Sequence, residues 1–171
     1  MPLVRITANW LSSNKDLIAM ILSVTAILVA YRTIAIARRQ SRLDTYARMH
    51  ESMVSPDAAR GRKRLFLHYR HQTSGPGYTF PRPEDDDWDE INQALALYDT
   101  LGMYFKARIV PRRLLLRAWH HPLKAIARPA REFAEWRRSM GILQPWNGLD
   151  YLLERARRVR CDCGFCKSYG P

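Results

Sequence analysis

An all-α fold is predicted, with one N-terminal transmembrane helix followed by a cytoplasmic bundle of four or five helices. Three observations carry this expectation. Residues 17–31 run without a charge, apolar residues elsewhere recur at spacings of three and four, and nothing reads as a series of alternating strands. The chain has 171 residues, which suits one compact domain with an added segment. With 47% hydrophobic residues it is no disordered polyampholyte. Its three cysteines fall within the last eleven residues, which excludes a disulfide-stapled secreted scaffold.

The membrane segment comes first. Fifteen helical residues cover only about 22 Å, short of a hydrocarbon core of roughly 30 Å. Apolar character resumes after Arg32 and stops at Arg38-Arg39, and the full stretch 17–37 reaches about 31 Å. Arg32 then lies near the inner boundary, where its stem can snorkel to the headgroups. Ser23 and Thr25 are tolerable because helical hydroxyls bond back to the chain. Arg5 and Lys15 precede the span, whereas Arg32, Arg38, Arg39, Arg42 and Arg48 follow its uncharged part. The positive-inside rule therefore places the C-terminal side in the cytoplasm. Tyr31 suits the inner interface and Trp10 the outer one. Ala35-Ile36-Ala37 resembles the small-x-small site of a cleaved signal peptide, but Arg32 interrupts the approach and Arg38-Arg39 hinder export. A buried core helix is the other alternative, and the remaining chain is small to enclose one.

Four regions follow: a short extracytoplasmic tail at 1–16, the span at 17–37, a cytoplasmic helical domain at 38–158, and a basic, cysteine-bearing tail at 159–171. Residues 42–54 continue the anchor helix. Ser55-Pro56-Asp57 is a restart, with Ser as N-cap, Pro in the first turn and an acid at the positive dipole end. The next helix runs to about His71 with Leu65, Phe66 and Tyr69 apolar, and residues 72–83 form a loop rich in Gly and Pro. A long helix begins within residues 84–90. Trp88, Ile91, Leu95, Tyr98, Leu101 and Phe105 form its core-facing stripe. Pro111 opens another helix, Pro122 limits it, and Pro129 begins the next, carrying Phe133, Trp136 and Met140. Residues 141–148 connect to a final helix containing Leu149, Leu152, Leu153 and Ala156.

The formal charge is +12, from 28 Lys plus Arg against 16 Asp plus Glu, and 23 of the basic residues are Arg. An acidic block at 81–105 lies between basic blocks at 38–80 and 106–140, so the charges can pair within the chain or between chains. Arg32, Arg38, Arg39, Arg42, Arg60, Arg62, Lys63, Arg64, Arg112 and Arg113 are the candidates for meeting lipid headgroups or a partner. Anionic lipid attracts such a juxtamembrane surface at about 1 kcal/mol per basic residue. Nucleic acid would also supply phosphates, but no recognition helix, zinc finger or RNA-binding aromatic motif accompanies them.

Cys161, Cys163 and Cys166 are spaced so that thiolates can converge on zinc, with a fourth ligand from a histidine, water or another subunit. No second CxxC and no HxxxH follows, so a tail of reduced thiols is the simpler reading, and no cofactor is expected beyond that zinc. Asp85, Asp86, Asp87, Asp89 and Glu90 read as dipole partners of a helix start rather than a Mg²⁺ site. His120-His121 sits before Pro122, near a helix end, with no matching nucleophile motif. His68 and His71 share a helical face.

Residues 96–110 (Ala-Leu-Tyr-Asp-Thr-Leu-Gly102-Met-Tyr-Phe-Lys-Ala-Arg-Ile-Val110) carry a Tyr-x-x-x-Gly helix and a short Ile-Val turn. With the N-terminal span, residues 114–119 and the late Trp146, Leu149, Leu152 and Arg155 helix, the chain resembles a family of uncharacterised bacterial membrane-anchored proteins, catalogued as a domain of unknown function. The likeness covers residues 17–158 and implies no catalytic residues. Physically, Gly102 permits close helix approach, and Trp119 and Trp146 can close the bundle. The expected protein is single-span and non-enzymatic, in the bacterial inner membrane with its N-terminus outside. It docks to or regulates a membrane-complex partner, or forms a homo-oligomer. The alternatives are a membrane-tethered nucleic-acid binder and a metal-dependent enzyme around His120, His121 and the C-terminal thiols.

Overall fold

The computed structural model describes residues 14–74, 79–142 and 146–161. Among the described residues all regular structure is helical: α1 (Lys15–Val54), α2 (Pro56–Ser74), α3 (Asp86–Lys106), α4 (Arg112–Ser139) and α5 (Asn147–Arg157). Two compact units share α1, which begins in Met1–Ser41 and ends in Arg42–Pro171. The predicted all-α architecture is what the chain adopts.

In the first unit residues 17–31 of α1 are apolar all round, and every residue from 19 to 41 is exposed. Leu22 is 64% exposed, Ile27 68% and Leu28 60%. Burying one such side chain is worth about 1.5–3 kcal/mol, so water is a poor solvent for this surface. The helix is long and apolar enough to cross a membrane. Its hydroxyls are satisfied within the helix, as the sequence predicts. Ser23 donates to the Ala19 carbonyl at 2.8 Å and Thr25 to that of Ile21 at 2.8 Å. Thr33 does the same to Val29 at 2.9 Å.

The second unit is a bundle with one apolar core. The end of α1 enters it through Met53, which is buried, while Tyr46 and Met49 pack at the margin. Ser55 caps α2: its Oγ accepts from the Ala58 N–H at 3.3 Å and donates to the Ser52 carbonyl at 2.8 Å. Pro56 takes the first helical position, where its missing N–H costs nothing. The predicted stripe on α3 is buried in full, from Trp88 to Phe105. Leu65 of α2, Leu115, Leu123, Ile126 and Phe133 of α4, and Leu149, Leu152, Leu153 and Ala156 of α5 complete the core.

Two helix crossings need glycine. A Cβ on Gly102 of α3 would lie 1.9 Å from the Gly148 carbonyl oxygen of α5, and one on Gly61 of α2 would lie 2.1 Å from that of Glu90 on α3. At the first crossing Asp99 accepts from the Gly148 and Leu149 N–H groups at 2.8 and 2.9 Å. A carboxylate from α3 thus supplies the cap that Trp146, at the N-cap of α5, lacks.

The prolines of residues 111–139 behave differently from expectation. Pro122 and Pro129 lie inside one continuous helix rather than at a boundary between two. An internal proline costs about 3 kcal/mol or more. Against that, Leu115, Trp119, Leu123, Ile126, Ala130, Phe133 and Arg137 are all buried along α4. A face that buries six apolar side chains outweighs two broken backbone bonds.

Arg137 is 6% exposed and sits over Trp146 at 4.1 Å and Trp88 at 5.9 Å. Burial lowers its pKa from the usual value, and the indole faces offset part of that desolvation. Trp136 donates to the Pro81 carbonyl at 3.0 Å, tying the loop before α3 to α4.

Candidate functional site

Arg32, Arg38, Arg39 and Arg42 are exposed on α1 and form no ion pair with another described residue. The basic residues of α2 are in a different situation. The Gly61 crossing brings them against the acidic start of α3. Arg64 Nε lies 3.0 Å from Asp87 and 3.6 Å from Glu90, and Arg60 Nε lies 3.6 Å from Glu90. Arg60 also pairs with Asp57. His68 Nε2 is 2.8 Å from the other Asp87 oxygen. Arg62 turns inward and donates to the Met53 carbonyl at 2.6 Å. Lys63 is exposed. The acidic block therefore meets the preceding basic block within the same chain.

Arg112 closes the C-terminal end of α3. Its Nε donates to the Phe105 carbonyl at 3.0 Å and a terminal nitrogen to that of Lys106 at 3.1 Å, with the guanidinium 5.2 Å from the Phe105 ring centre. Such bonds satisfy carbonyls left over at a helix end. Arg113, one residue on, is exposed.

His120 and His121 are placed mid-helix in α4, not at a helix end. Their ring centroids are 3.9 Å apart. Cys161, four residues beyond Arg157 at the end of α5, comes to the same place: its Sγ is 3.3 Å from His121 Nε2. One donor atom from each of the three residues lies within 4.8 Å of the other two. Lys124, one turn further along α4, donates to the Val159 carbonyl at 2.9 Å and so fixes the path of the chain just before Cys161. His120 Nδ1 is 3.0 Å from the Leu116 carbonyl. A carbonyl only accepts, so Nδ1 carries the proton and Nε2 keeps a lone pair. That Nε2 is buried without a hydrogen-bond partner among the described residues. Desolvation lowers the pKa of His121, helped by the neighbouring Lys124 ammonium, which favours its neutral form. Two imidazoles and a thiol can bind a soft or borderline cation or exchange protons.

Cys163 and Cys166 lie outside the described residues. Sequence reasoning singled out both halves of the cluster but misread the histidines as helix-terminal. It missed Asp99 altogether, since an acid within an amphipathic helix carries no capping signature.

Fold and surface together define the class: a helical-bundle domain on a chain with, among the described residues, one helix long and apolar enough to cross a membrane. No protein-family model, no curated protein and no solved structure matches it.

Proposed function

We propose that the chain is a single-span protein of a bacterial cytoplasmic membrane, with residues 1–16 outside and the helical domain in the cytoplasm. In this reading its role is non-catalytic: it docks to, or regulates, a protein partner in a membrane complex. The observation that carries the reading is the complete exposure of the apolar residues 19–37, in a chain whose bundle fills its core with other residues. The excess of arginines on the C-terminal side of the span supports the orientation. Arg32, Arg38, Arg39 and Arg42 are available to anionic headgroups, each contributing about 1 kcal/mol near the surface. Arg60, Arg62, Arg64 and Arg112 are engaged within the chain, which leaves a smaller basic surface for nucleic-acid phosphates. Arg113 and Lys63 remain as exposed contacts for an acidic partner.

Two measurements test this reading. Protease added to intact cells leaves the domain untouched and digests it once the membrane is opened; digestion from outside would reverse the orientation. Photo-crosslinking from position 113 in native membranes recovers one defined protein. Recovery of abundant neighbours in proportion to their abundance would remove the docking claim.

A further inference from the structure

We infer that His120, His121 and Cys161 form a zinc-binding site that fastens the chain leaving α5 to the middle of α4. The inference does not depend on membrane attachment or on any docking partner.

The distances fit. Zinc bonds of about 2.0–2.1 Å to nitrogen and 2.3 Å to sulfur in a tetrahedron put those two donors roughly 3.6 Å apart. His121 Nε2 and Cys161 Sγ are 3.3 Å apart, and no donor pair in the trio exceeds 4.8 Å.

The second observation is His120. Its Nδ1 is committed to the Leu116 carbonyl at 3.0 Å. Metal-binding histidines show this arrangement, in which a backbone acceptor fixes the tautomer and presents the other nitrogen. Here the other nitrogen is buried without a hydrogen-bond partner among the described residues. Leaving a buried polar atom orphaned in this way is costly. A cation would remove that cost by accepting the lone pair.

The same observation separates a metal from a cysteine–histidine nucleophile pair. Such a pair needs one imidazole next to the thiol, and His121 alone would serve. It gives no reason for a second imidazole 3.9 Å away with a fixed tautomer and a buried lone pair. The Lys124 ammonium is the cation that opposes binding. It is occupied by the Val159 carbonyl at 2.9 Å, and the Cys161 thiolate supplies a negative charge at the ion. Two imidazoles and a thiolate suit zinc over magnesium or calcium, which take oxygen ligands. Among the described residues these three donors leave a fourth tetrahedral position open.

The test uses the full chain in detergent, purified without a polyhistidine tag and kept reduced with a phosphine. The expected result is one equivalent of zinc per chain. Cobalt in its place gives intense tetrahedral d–d bands and a sulfur-to-cobalt charge-transfer band. Cys161→Ser abolishes the charge-transfer band and weakens zinc binding by at least about 100-fold, and His121→Ala weakens it to a similar extent. Cys161 lies beyond the last helix, so the serine variant keeps its helical circular dichroism. Cys163→Ser with Cys166→Ser still binds one equivalent. An unmutated chain that binds no zinc overturns the inference. So does binding that survives loss of both histidines, which would locate the metal on tail thiols alone, and so does loss of binding in the Cys163/Cys166 variant.

Discussion

The two units of this chain use the same apolar residues in opposite ways. Leu22, Ile27 and Leu28 in the first unit are more than half exposed, whereas Leu95, Leu101 and Leu152 in the second are 0–2% exposed. Sequence pattern explains the contrast. Residues 17–31 are apolar on every side of the helix, so no rotation of α1 could hide them against one neighbour. α3 alternates an apolar stripe with acids and amides, and one face is all it needs to bury. The first pattern calls for a solvent other than water, and the second for a partner helix.

The contrast can be broken most directly by removing equal amounts of side chain from each unit. Leu95→Ala should destabilise the bundle by about 2–5 kcal/mol, read as a lowered denaturant midpoint. Leu28→Ala deletes the same atoms and should leave that midpoint within about 0.5 kcal/mol. Equal effects would mean that residues 17–37 pack into the protein core after all.

The reverse experiment introduces a charge. If residues 17–37 span a membrane, Ile27→Arg at their centre should oppose insertion by about 2.5–3.5 kcal/mol, moving protein to the soluble fraction without changing the unfolding midpoint of the bundle. Unaltered membrane retention would count against a spanning helix.

Within the bundle, Gly102→Ala sets two effects against each other. Alanine gains up to about 1 kcal/mol in helix propensity. The new Cβ, however, meets the Gly148 backbone at 1.9 Å, and overpacking of this type costs about 1–3 kcal/mol. The clash is with backbone and cannot rotate away, so net destabilisation is expected. A stabilised variant would show that α3 and α5 do not cross so closely. Asp99→Ala removes the acceptor for two N–H groups at the same crossing and should cost about 0.5–2 kcal/mol, with greater amide exchange at Gly148 and Leu149.

The smallest effect belongs to the surface. Glu154 has its pKa lowered by the Arg158 hydrogen bond, helped by the Arg157 charge. A carboxylate with a depressed folded pKa contributes stability above its unfolded pKa. That contribution is lost as pH falls through the lowered folded value. Glu154→Gln should therefore lower stability slightly at neutral pH and match the unmutated chain in acid, which flattens the acid limb of a stability–pH curve. An unchanged acid limb would show that these arginines do not hold the carboxylate in solution.

Local patterns were legible in the sequence, and encounters between distant segments were not. The α3 stripe, the Ser55 cap, the back-bonded hydroxyls and the close approach at Gly102 all follow from spacing or residue type. The prolines of α4 misled because Pro122 and Pro129 carry a local penalty, while the burial that overrides it depends on what packs against residues 115–137. Arg137 gave no sign of burial, since two tryptophans from other elements create its site. The His121–Cys161 contact joins positions 40 residues apart. Each half was visible as a residue type with metal chemistry, but only the fold brings them within reach.

The central claim is that residues 17–37 have lipid as their solvent while the bundle folds on its own core. Alkaline carbonate washing of native membranes tests it most directly. The full chain should stay in the membrane pellet and leave it only on addition of detergent. Release into the alkaline supernatant would contradict the account, because a helix with this apolar surface would then have to be covered by protein.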